Sequence, residues 1–131
     1  MRCGSTRKDQ RLKILVLDDE KLFVDAMGGG LAAAHEVMTT TSPLEALAMI
    51  VRDKIDFDVI MCDLMMAEMS GMDFYEDLRR QCPGFESRII FMTGGVFTER
   101  ARVFLETVPN LRLAKPFKLS EIRSILQTNL H

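Results

Sequence analysis

Residues 59–63 read Val59-Ile60-Met61-Cys62-Asp63, four apolar side chains and then an acid. A run so short and so continuously apolar suits a strand buried on both faces of a sheet. The figure recurs along the chain. Ile14-Leu15-Val16-Leu17 leads into Asp18-Asp19, Ile89-Ile90-Phe91-Met92 into Thr93, and Leu111-Arg112-Leu113-Ala114 into Lys115-Pro116. Strands are expected near 13–17, 36–40, 57–62, 88–92 and 111–114. Amphipathic stretches near 20–33, 43–53, 71–81, 98–106 and 119–129 alternate with them. Such alternation predicts an α/β fold, a parallel doubly wound sheet with helices on both faces. In an open α/β sheet, ligands bind outside the carboxyl ends of the strands. Asp18, Asp19, Asp63, Thr93 and Lys115 would therefore converge. Three carboxylates, a hydroxyl and an ammonium suit a divalent cation beside a phosphoryl group.

Local signals support several boundaries. Ser42-Pro43 is a helix cap followed by proline at the first helical position, and Glu45 completes a capping-box pattern. Ser70 is a plausible cap for the third helix, and Pro83-Gly84 stops it. Ser120 can cap the last helix, whose core face is Leu119, Ile122, Ile125 and Leu126. Gly28-Gly29-Gly30 falls inside the first helix, where each glycine costs about 1 kcal/mol relative to alanine. No strand leads into this run and no Gly-Lys-Ser/Thr follows it, so a phosphate-cradling loop gives way to a thinly decorated, weakened helix end.

Composition narrows the function. The 131 residues suffice for one domain with one ordinary core. Residues 1–12 read as a flexible leader or linker, and 13–131 as the domain. The net charge of -2, with signs mixed along the chain, makes no electrostatic case for nucleic acid or an anionic membrane. No apolar run approaches the ~20 residues of a membrane span, and the start of the chain lacks the apolar segment of a signal peptide. Cys3, Cys62 and Cys82 show no metal-ligand spacing. Reduced thiols of a cytoplasmic protein are the expectation, with Cys62 packed in a strand. Met65, Met66, Met69 and Met72 suggest core and loop packing rather than a cofactor surface. His35 and His131 show no partner and are expected in solvent.

Taken together, Leu17-Asp18-Asp19-Glu20, Cys62-Asp63-Leu64-Met65-Met66 with Met69-Ser70-Gly71, Met92-Thr93-Gly94 and Lys115-Pro116-Phe117 resemble the receiver domain of two-component response regulators. Each piece alone is weak. In this order, each at a strand end, they are specific, and they span about Lys13 to Leu126. The resemblance implies a five-stranded flavodoxin-like sheet of order 2-1-3-4-5 with five helices. It implies Mg²⁺ held directly by Asp19 and Asp63, through water by Asp18, and by the backbone carbonyl of Met65. It also implies phosphorylation of Asp63 by the phosphohistidine of a histidine kinase or histidine phosphotransfer domain. Asp63, Thr93 and Lys115 would act on the transferred group, and self-dephosphorylation would be slow. Glu20 either touches a metal-bound water or favours the start of the first helix.

Two positions depart from the family. Ala67 stands where proline is common. Arg112 stands three residues before the lysine, where an aromatic often swings inward on phosphorylation. Receivers fused to histidine kinases often lack that aromatic, so a hybrid sensor kinase is the favoured parent, with a stand-alone regulator as the alternative. The expected response then centres on Thr93 and residues 94–106. A Mg²⁺-dependent phosphohydrolase with an aspartyl nucleophile would place Asp-x-Asp after the first strand, whereas Asp18-Asp19-Glu20 stands here. A degenerate, purely interacting receiver would normally lose an acid of the pocket, and none is lost.

Overall fold

The structure, a computed structural model, describes residues 11–95 and 98–129. Its elements are β1 (Lys13–Leu17), α1 (Lys21–Leu31), β2 (Glu36–Thr40), α2 (Pro43–Val51), β3 (Val59–Asp63), α3 (Gly71–Gln81), a 3-10 turn (Phe85–Arg88), β4 (Ile89–Thr93), α4 (Glu99–Thr107), β5 (Arg112–Ala114) and α5 (Leu119–Asn129). All four strand pairings are parallel and the order is β2-β1-β3-β4-β5. This is the doubly wound sheet that the alternation predicts.

Strand periodicity divides the core in two. Leu15, Leu17, Ile60, Cys62 and Phe91 point to one face and pack with Ala46, Leu47 and Ile50 of α2, Phe74 and Leu78 of α3, and Ala101 and Leu105 of α4. Ile14, Val16, Val59, Met61, Ile90 and Met92 point to the other and pack with Val24, Met27 and Leu31 of α1 and Ile122 and Leu126 of α5. Burial on both faces explains why β3 and β4 are apolar without interruption until their last residues. Phe104 of α4 meets Tyr75 and Phe91 edge-on, with centroids at 5.2 and 5.4 Å. Such pairs contribute roughly 0.5–1.5 kcal/mol each beyond burial, and they hold α4 against the strand that carries Thr93.

Several expectations change in detail. β3 begins at Val59 rather than 57, although Phe57 is fully buried. Asp58 intervenes: its N–H donates to the Lys13 carbonyl and its carboxylate accepts the Lys13 N–H, both at 2.8 Å. Residues 1–10 of the expected leader lie outside the described residues, but Leu12 packs into the second core. His35 is not a solvated side chain. It is partly buried, and its Nδ1 accepts the Leu12 N–H at 3.1 Å; burial and then Arg11 hold its pKa below the ordinary value. His131 lies outside the described residues.

The caps also sort themselves. Ser42 and Ser70 accept the N–H groups of Glu45 and Asp73 as expected. The return bond of the capping box is relayed, however: the Ser42 N–H donates to Thr40 Oγ1, which donates to the Glu45 carboxylate. Ser120 is not the cap of α5. The helix begins at Leu119, and Glu121 accepts the Lys118 N–H at 3.0 Å instead. α1 ends just beyond the glycine run, and two of its glycines have packing reasons. A Cβ on Gly30 would lie 2.7 Å from Leu119 Cδ1, and one on Gly28 3.1 Å from Thr39 Cγ2.

Candidate functional site

Parallel pairing carries the carboxyl ends of β1, β3, β4 and β5 to one edge, and the polar residues that end the apolar runs meet there. Asp18 is wholly buried. Its Oδ1 accepts the Glu20 N–H at 3.0 Å and its Oδ2 accepts the Lys115 ammonium at 2.5 Å. Asp63 is 7% exposed, and its Oδ1 lies 3.1 Å from Lys115 Nζ. Asp19 is exposed and holds the loop after β3, where its Oδ2 accepts the Ala67 N–H at 2.9 Å. Each of the three acids offers an oxygen within 4.8 Å of the others'. A hard divalent cation takes an all-oxygen set of this kind, so the residues present fit Mg²⁺.

Backbone bonds fix the frame. The Lys115 N–H donates to the Thr93 carbonyl at 2.7 Å and the Leu64 N–H to the Met92 carbonyl at 3.0 Å. Thr93 itself is buried at the end of β4. Gly71 closes the loop that begins at Leu64, donating its N–H to the Leu64 carbonyl at 2.8 Å. Met65 lies on this loop and is 40% exposed.

Charge in the pocket is unbalanced. Burial, first of all, raises the Asp63 pKa from 3.8 to about 6; Lys115 opposes the rise and Asp18 adds to it. Burial also works against the Lys115 ammonium, but its bonds to Asp18 and Asp63 prevail and its pKa stands above the ordinary lysine value. Cys62 is buried beside the site with its thiol pKa pushed well up by burial, and its Sγ–H donates to the Asp63 carbonyl. It is a core residue, as expected.

Phe23 belongs to none of the sequence motifs. In the structure its ring centroid lies 4.4 Å from Lys115 Nζ. Arg112 is exposed on β5 and donates to the Leu105 carbonyl at 3.3 Å. It thus partners a carbonyl of the last turn of α4, in place of the inward aromatic.

Residues 14–127 match the response regulator receiver domain family. The chain belongs to that family of two-component signalling proteins. It is 33% identical over 75 residues to the hydrogenase transcriptional regulatory protein HoxA of Cupriavidus necator, a match covering 57% of this chain and 15% of that protein. The matches span less than a third of the curated relatives' length. The chemotaxis protein CheY4 of Vibrio cholerae shares the fold at 28% identity, with a TM-score of 0.75 over 90% of this chain and 98% of that one. A response regulator receiver domain protein of Clostridium thermocellum does so at 26% identity and a TM-score of 0.75, over 88% and 90%.

Proposed function

We propose that the chain accepts a phosphoryl group from phosphohistidine onto Asp63 in a Mg²⁺-dependent reaction. The observation that carries this reading is the Asp63 carboxylate, buried at a strand end between Lys115 and two further acids. An Asp63 oxygen bonds to phosphorus as the donor's bond to phosphorus breaks, and the electron pair leaves with the imidazole. Asp18, Asp19, Asp63 and the Met65 carbonyl would hold Mg²⁺, which when bound neutralises charge on the phosphoryl oxygens. Lys115 supplies a point charge to those oxygens, and Thr93 supplies a hydroxyl donor. The rest is positioning, as is general for phosphoryl transfer.

The test is incubation with acetyl phosphate and Mg²⁺ followed by intact-mass measurement. A gain of one phosphate per chain is expected. Sustained turnover of the donor would identify a phosphohydrolase instead, and no gain would identify a purely interacting module. The partner class is a histidine kinase or histidine phosphotransfer domain. Arg112 in place of the aromatic favours a hybrid sensor kinase as the parent, in a cytoplasmic setting. No described helix is long and apolar enough to cross a membrane. A full reading frame that adds only a DNA-binding domain would overturn the kinase context.

The ligand roles of the paired aspartates should separate. Both Asp18 oxygens are already engaged, by Glu20 and Lys115, whereas only one Asp19 oxygen is, by Ala67. Asp18→Ala is expected to weaken Mg²⁺ binding by roughly tenfold, in the range for loss of an outer-shell partner. Asp19→Ala should weaken it further. Calorimetric titration measures both, and equal losses would show that the two acids are not distinguished in this way.

A further inference from the structure

We propose that Phe23 is a positioning residue for Lys115, holding the ammonium by its ring face so that it can pass from the Asp63 carboxylate to the incoming phosphoryl group. This role rests on the reading of Asp63 as the acceptor. Lysine carries its charge on a flexible four-carbon stem, so an ordered ammonium needs anchors. The structure shows three: Asp18 Oδ2 at 2.5 Å, Asp63 Oδ1 at 3.1 Å and the Phe23 centroid at 4.4 Å. Phe23 is itself braced. It sits in the first turn of α1 with its N–H on the Glu20 carbonyl at 3.0 Å. Phe117, just beyond Lys115-Pro116, meets it edge-on at 6.0 Å and 83°.

The three anchors differ in what happens to them on transfer. The Asp63 oxygen that forms the new bond loses its full negative charge, so that contact must give way and re-form on a phosphoryl oxygen. Asp18 and the ring persist. A ring face attracts a cation through its quadrupole and imposes no directional acceptor. The ammonium can therefore turn on it without breaking the contact, which a third carboxylate would resist.

The experiment compares the unsubstituted chain with Phe23→Leu and Phe23→Tyr. The leucine keeps apolar volume and removes the ring; the tyrosine restores the ring. Phosphate incorporation from acetyl phosphate with Mg²⁺ is followed by intact mass, and the Lys115 ε-methylene shift by NMR. Phe23→Leu is expected to slow incorporation roughly two- to fivefold, the rate equivalent of an exposed cation–π contact, and to abolish the ring-current shift. Phe23→Tyr should restore both. Full speed in Phe23→Leu, or a Phe23→Tyr as slow as Phe23→Leu, would overturn the role while leaving Asp63 as acceptor. An unsubstituted chain that takes up no phosphate would overturn the acceptor reading, and this role with it.

Discussion

Asp63→Asn is expected to unfold at higher urea than the unsubstituted chain in metal-free buffer at pH 7.5, and to take up no phosphate. The loss of labelling follows from replacing the ionised carboxylate by a neutral amide, whose remaining oxygen is a poor nucleophile. The gain in stability follows from the electrostatics of the pocket. Burial holds the Asp63 pKa at about 6, against an ordinary value of 3.8. Ionising this group therefore costs the folded chain about 2–3 kcal/mol more than the unfolded one. Asparagine keeps the shape and never ionises.

The sign can be followed through pH. Between about 3.8 and about 6 the folded state holds more of this proton than the unfolded state does. Stability from this group is then complete below the lower value and lost as pH rises through the upper one. The advantage of Asp63→Asn should be small near the low end of that window and reach its full size above the high end. Mg²⁺ should narrow the gap by binding the folded, ionised chain. Urea midpoints across this pH window, with and without Mg²⁺, check the whole pattern. An asparagine variant no more stable at pH 7.5, or a gap independent of pH, would remove the electrostatic account.

The polar residues of the site were legible in the sequence for a simple physical reason. A parallel strand covered on both faces must stay apolar, so the first polar side chain marks where the sheet edge opens. Asp18, Asp63 and Thr93 fall at that step, whereas Lys115 follows the edge strand β5, where the exposed Arg112 already breaks the apolar run. Less legible were features settled by competition between neighbours. Ser120 has the right chemistry for a cap, but Glu121 serves the Lys118 N–H. His35 finds its partner in a backbone N–H, which no side-chain pattern reveals. Phe57 is apolar enough for a strand, yet Asp58 ties the chain to the start of β1 first. Phe23 is the instructive miss. No motif marks it in the sequence, and only the return of the chain through β5 places an ammonium over its face.

Gly71→Ala is expected to destabilise the chain, whereas Gly29→Ala should stabilise it, though both positions are helical. Helix propensity alone favours alanine by roughly 1 kcal/mol in a helix interior, the situation of Gly29 but not of Gly71, which directly follows the Ser70 cap. Gly29 has open space: an added Cβ meets nothing within 4 Å. Its substitution should yield a gain of about 0.4–1 kcal/mol. Gly71 is the first residue of α3, pressed against the end of β3. A Cβ there would lie 2.6 Å from the Asp63 carbonyl oxygen and 2.9 Å from Leu64 Cα. These are backbone atoms, so no side chain can rotate to make room. Relief requires α3 to move away from the strand end and strains the bond from the Gly71 N–H to the Leu64 carbonyl. Overpacking of this kind costs typically ~1–3 kcal/mol. The cost should reach the site as well, because the clashing carbonyl belongs to Asp63 and the loop closed by Gly71 carries Met65. Gly71→Ala is therefore expected to weaken Mg²⁺ binding and slow phosphate uptake, while Gly29→Ala leaves both intact. Paired urea titrations and Mg²⁺ binding curves decide the matter: matching midpoints for the two variants would show that the close approach at Gly71 relaxes at no cost.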